Sequence, residues 1–131
     1  MQAKEDFVNK IHLLISVVVV VPAGLIYGFR PELLLNISVQ TLDEHSFHKA
    51  VMTLYFGFAG LWILGILKHT YLRAALISNV IFMLGLASGR ILSMIFDGMP
   101  SSVYVFGTIG ELLLGFYGLW VLNSNAYSKI S

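Results

Sequence analysis

The sequence predicts an all-α integral membrane protein, a four-helix bundle with up-down antiparallel topology, and three observations carry that prediction. Only 11% of the 131 residues are charged while 57% are hydrophobic, and mean hydropathy is +0.82. Soluble domains carry roughly 25% charged residues, so the outside of this chain must face lipid. Four apolar runs approach the ~20 residues that a spanning helix needs. Those runs are continuous, unlike the alternating ten-residue strands of a membrane barrel, and a backbone in lipid satisfies its own hydrogen bonds by coiling into helices.

Residues 1–131 read as one membrane domain with spans at about 11–29, 50–67, 74–96 and 103–122. The first span includes the run Val17 to Val21. Its polar lead holds Glu5 and Asp6 beside Lys4 and Lys10, and no small-residue cleavage site follows, so it reads as a retained helix and not a signal peptide. Pro22 is expected to kink it. Pro31, Glu32 and three leucines then suggest a short helical turn at the interface. Thr41 and Glu44 have capping-box spacing, which starts the second helix near Leu42. The third and fourth spans are joined only by Asp97 to Ser102, where Gly98 and Pro100 make a tight turn and a serine can cap the next helix. Those two helices must therefore be antiparallel neighbours.

Positive charge sets the orientation. Lys4, Lys10, Lys68, Arg73 and Lys129 share one side, and Arg30 and Lys49 the other. This asymmetry places both termini in the cytoplasm.

Two full charges lie inside the spans. Arg90 is six residues before Phe96 and Glu111 eight residues after Val103, hence ~9 Å and ~12 Å from the same end of adjoining helices. Each alone would cost roughly 2.5–3.5 kcal/mol at the centre of the hydrocarbon. The two are expected to form an ion pair or to share an aqueous pocket open to the outer face. Gly107, Glu111, Gly115 and Gly118 form one stripe of the fourth span, and small residues there let another backbone approach. Asn79, Met83, Leu86, Arg90, Ser93 and Asp97 follow one stripe of the third, with Gly85 and Gly89 beside it. Gly57 and Gly60 give the second span its own close-packing face.

The candidate ligand-binding residues are therefore Arg90, Glu111, Asp97, Ser93 and Asn79. A guanidinium suits an anionic headgroup, carboxylate or phosphate, and a buried glutamate can carry protons. The structural alternative is a staple that fixes helix register. Asn79 also suits an interhelical hydrogen bond. His45 and His48, with Asp43 and Glu44, are a weak metal set, because carboxylates at a helix start are ordinary dipole partners. His12 and His69 are expected at the cytoplasmic interface. Trp62, Trp120, Tyr55, Tyr71, Tyr104 and Tyr117 are expected mostly at the interface or facing lipid.

Other chemistry is not supported. There is no cysteine, so no disulfide, thiolate metal site or thiol catalysis. Net charge is +1, too little to neutralise a nucleic-acid backbone. No cofactor is implied: there is no phosphate-binding glycine loop and no paired histidine set for haem. Ser88 and Ser93 have no histidine base beside them, and no Gly-x-Ser-x-Gly appears.

The stretch Gly89-Arg90 through Asp97-Gly98-Met99-Pro100, followed by Glu111, resembles the small bacterial four-span family catalogued as domain-of-unknown-function 4345. Members carry a Gly-Arg near the end of the third span, an Asp-Gly-x-Pro turn and a Glu in the fourth. Pro31 after the first span also matches, while Lys49 stands where such proteins often have Arg. The resemblance implies a four-helix membrane domain, expected in a bacterial inner membrane, and no known activity.

Three functions follow. The first is a binding module for a small amphiphile, lipid headgroup or anion, entering from the extracytoplasmic face to Arg90 and Glu111. The second is an accessory subunit packed by its glycine faces against a larger membrane complex or a second copy. The third, with least support, is an intramembrane lipid-modifying enzyme using Glu111 or Asp97 as acid and base.

Overall fold

The computed structural model describes residues 2–33 and 40–124, with side chains from residue 6 onward. These residues form α1 (Gln2–Phe29), a short 3-10 turn (Pro31–Leu33), α2 (Leu42–Leu67), a second 3-10 turn (His69–Tyr71), α3 (Leu72–Asp97) and α4 (Ser102–Asn123). Among the described residues there is no strand. All four helices are long and apolar enough to cross a membrane. The up-down order puts the start of α1, the end of α4 and the α2–α3 connection at one end of the bundle, here called the terminal end. The other two connections lie at the turn end.

The helix boundaries follow from local chemistry. Thr41 caps α2: its hydroxyl accepts from the Glu44 amide, and the Glu44 carboxylate accepts from the Thr41 amide. That reciprocal bonding satisfies donors that a helix start leaves bare. Gly98 ends α3 with φ +103°, a conformation that costs a side-chain-bearing residue. Ser101 is the N-cap of α4 through its carbonyl, which accepts from the Tyr104 amide at 3.1 Å; its hydroxyl makes no capping bond. α1 runs as one helix through Pro22, which lacks only the single amide that would have bonded Val18.

The core is aromatic at mid-depth and aliphatic toward the terminal end. Phe82 of α3 lies between Tyr55 (5.1 Å between ring centres), Phe58 (5.2 Å) and Trp62 (5.1 Å) of α2. Trp62 and Tyr55 are thus buried, contrary to the lipid-facing positions expected of them. Trp62 is tolerated there because its indole N–H donates to Ser78 Oγ at 3.1 Å. Trp120 and Tyr71 are exposed as expected. His12 is also displaced from expectation: it is buried between α1 and α4 rather than at an interface, its ring 5.1 Å from Tyr117. His69 stays exposed.

Glycines do the close packing, but not all of those the sequence pointed to. A methyl on Gly115 would lie 2.5 Å from Leu84 Cδ2, and one on Gly118 2.7 Å from Val80 Cγ2, so these two let α3 reach α4. Gly28 meets Met52, and Gly65 meets Ala75. Gly57, Gly60, Gly85, Gly89 and Gly107 have no neighbour within 4 Å of where a methyl would sit. The stripes expected to receive a second backbone at those positions receive none among the described residues.

One consequence is measurable. Gly60→Ala is expected to raise stability by about 0.5–1 kcal/mol, because alanine costs less chain entropy in a helix and meets open space. Thermal unfolding in detergent reads the change. A fall in stability, or a smaller particle on gel filtration, would instead put a second helix on that face.

Candidate functional site

The α3–α4 turn builds the site. With only four residues between α3 and α4, equal distances from the turn become equal depths, and Arg90 and Glu111 meet. Arg90 Nε lies 3.0 Å from Glu111 Oε1. The pair is partly buried: the side chains keep 17% and 12% of their exposure. Three tyrosines complete the surroundings of the cation, among them Tyr55 of α2, whose hydroxyl interacts with the guanidinium. Arg90 Nη2 donates to Tyr27 Oη of α1 at 3.4 Å, and the guanidinium carbon stands 5.1 Å from the centre of the Tyr104 ring. A cation over an aromatic face gains electrostatically from the ring quadrupole. One oxygen of the carboxylate, Glu111 Oε2, is buried with no hydrogen-bond partner among the described residues.

Two concave spaces meet at Arg90. A cavity of about 560 Å³ opens at the turn end, walled by Tyr27, His48, Gly85, Gly89, Ser93 and Tyr104 around the guanidinium. Gly85 and Gly89 therefore serve as open wall, which accounts for their lack of neighbours. A second space, about 480 Å³, runs between α1 and α4 and is lined mostly by apolar side chains. Tyr27, Leu86 and Arg90 belong to both. Glu111 belongs only to the second.

The remaining candidates separate. Ser93 lines the cavity and donates to Asp97 Oδ2 at 3.0 Å. Asp97 itself is exposed, does not line the cavity and reaches it only through Ser93. Asn79 lies eleven residues before Arg90, ~16 Å along the helix. It is fully buried and donates to Ser16 Oγ of α1 at 3.0 Å, so it belongs to an interhelical contact and not to the Arg90 cavity. Among the described residues, His45, His48, Asp43 and Glu44 form no group that could hold a metal. Glu44 is engaged by the cap, and the His48 ring, with Nδ1 2.8 Å from the Glu44 carbonyl oxygen, faces the Arg90 cavity.

The sequence reading overlooked Tyr27. It stands two residues from the turn end of α1 and Arg90 seven from that of α3, so matching depth gave no signal for it. Asn9, His12 and Ser16 were also overlooked as a group. They form one buried face of α1 near the terminal end, where Tyr117 Oη of α4 donates to the Val8 carbonyl at 2.6 Å. Their spacing of three and four residues was a readable helical stripe.

A family model described as "Domain of unknown function (DUF4345)" matches residues 8–122. No curated protein and no solved structure matches the chain.

Proposed function

The chain belongs to the family of the Domain of unknown function DUF4345, and from that premise we propose that it is a membrane binding protein for an amphiphile, lipid headgroup or anion. The ligand approaches from the extracytoplasmic face and is taken by Arg90, with Glu111 balancing the charge. The turn end is the extracytoplasmic end of a bacterial inner-membrane protein, because Lys10, Lys68 and Arg73 cluster at the terminal end.

The observation that carries this reading is the cavity of about 560 Å³ at the guanidinium. A guanidinium has five N–H donors. Here its partners among the described residues are Glu111, the Tyr27 hydroxyl and the Tyr55 hydroxyl, which still leaves donors for an incoming oxygen. Glycines at 85 and 89 keep the space clear. A cation that served only to join two helices would need no such space beside it.

The 3.0 Å Arg90–Glu111 pair favours a second reading, in which the pair is a staple between α3 and α4 within an accessory subunit. Gly89→Leu separates the two. It fills the cavity while meeting no neighbouring atom within 4 Å at its first carbon, so the pair and the fold stay in place. Mass spectrometry of amphiphiles carried through mild detergent purification is expected to show ~tenfold less bound material in the variant, equivalent to about 1.4 kcal/mol. Equal amounts in both proteins would remove the cavity from the account and leave the staple.

A further inference from the structure

The space between α1 and α4 deepens the binding proposal, on which this inference rests. α1 and α4 are tied together at the terminal end, where Tyr117 bonds Val8 and Gly118 admits His12. Toward the turn end they are separated by the apolar groove. Its rim carries Ile15, Val19, Phe106 and Leu113, all exposed, so it opens sideways out of the bundle. Its floor is Phe82, Met83 and Leu86 of α3 with Tyr55 of α2.

The dimensions fit one kind of occupant. On α1 the lining runs from Ile15 to Tyr27, and on α4 from Val103 to Leu114. At 1.5 Å per residue these are ~18 Å and ~16 Å. Half of a ~30 Å hydrocarbon core is ~15 Å, the depth of one leaflet. The groove thus begins at the level of the guanidinium cavity and descends one leaflet. It is continuous with that cavity through Tyr27, Leu86 and Arg90.

We infer that cavity and groove form one bipartite site for an acyl-chain amphiphile with an oxyanion headgroup, a phosphate or a carboxylate. The headgroup sits in the turn-end cavity and accepts hydrogen bonds from Arg90. The chain lies in the groove between α1 and α4, entered sideways from the leaflet. Glu111 already balances the Arg90 charge, so the headgroup is held by the guanidinium's spare donors and not by net attraction. The chain then supplies most of the discrimination between ligands.

Gly110 lines the groove and has open space around it, so Gly110→Leu plugs the groove without a clash. The full chain is held in amphipol, and binding of dodecyl phosphate, dodecanoate, methyl phosphate and acetate is measured by equilibrium dialysis. Wild-type protein is expected to bind at least one dodecyl ligand ~tenfold or more tightly than its one-carbon or two-carbon counterpart, and the tighter of the two assigns the headgroup. In Gly110→Leu that advantage is expected to vanish while helicity and melting temperature stay at wild-type values. In Arg90→Ala, assayed at a temperature where helicity shows it still folded, the long-chain phosphate and carboxylate are both expected to be lost. Unchanged long-chain binding in Gly110→Leu, or no chain advantage in the wild type, overturns the groove assignment but leaves the Arg90 reading standing. Full binding in Arg90→Ala overturns that reading as well.

Discussion

Gly65→Val is expected to be among the most damaging single substitutions in this protein. A methyl at Gly65 would overlap Ala75 Cβ and lie 3.3 Å from the Tyr71 carbonyl oxygen and 3.5 Å from Leu72 Cα. Two of these three neighbours are backbone, and neither can swing aside as a side-chain tip would. Ala75 and Leu72 are fully buried, so the α2–α3 contact has no slack. Valine adds a branched side chain to that overlap. Overpacking of this kind costs roughly 1–3 kcal/mol and sometimes more. The expected result is a clear fall in melting temperature in detergent, against the small rise expected for Gly60→Ala. A Gly65→Val protein as stable as the wild type would mean that α2 and α3 do not approach here as described.

The second large effect concerns the intramembrane charges, and it tests what the pair is for. Arg90→Ala leaves the Glu111 carboxylate in a weakly polar interior with one oxygen already unpartnered. Breaking a fully buried pair on one side costs about 3–5 kcal/mol. The turn-end cavity beside the vacated position can admit water to soften this, so a loss toward the lower end is expected. The double variant Arg90→Met with Glu111→Leu replaces both charges by apolar groups of similar size. Such replacement is often neutral or stabilising, because neither charge then has to be desolvated. The double variant is therefore expected to unfold at or above the wild-type temperature and yet to bind no amphiphile. Thermal unfolding and ligand content measured on the same preparations decide the matter. A double variant that is less stable than Arg90→Ala would make the pair a structural staple, and the binding reading would lose its reason for a charged site.

Much of this architecture was legible before any coordinates, and the particulars show why. The four helices follow from length and hydropathy because a backbone in hydrocarbon has few ways to satisfy its own polar groups. The Thr41–Glu44 cap was legible because a capping box is a local device, set by residues three apart. The Arg90–Glu111 contact was legible because the short turn between their helices fixes relative depth and because stranded charge is expensive.

Other features were not legible, and for a common reason. In water, a polar outside and an apolar inside give each helix a stripe that points to the core. In lipid both the outside and the inside are apolar, so the stripe loses its contrast. Trp62 and Tyr55 could have faced acyl chains and instead form the aromatic centre. Gly85 and Gly89 could have received a helix and instead wall a cavity. Asn79 shares a stripe with Arg90 but turns to Ser16 at the middle of α1. Tyr27 joined the site from a helix more than sixty residues away in sequence, which no local pattern encodes.

The amino-acid sequence by itself determined the number of helices, their caps and turns, and the level at which the two charges stand. Those are one-dimensional quantities, set by run length and by neighbours a few residues apart. The tertiary structure alone decided which apolar side chains face inward, where α1 and α4 come together and where they part. Those depend on how four nearly uniform apolar cylinders rotate against one another, and shape complementarity, not hydrophobicity, chooses that rotation.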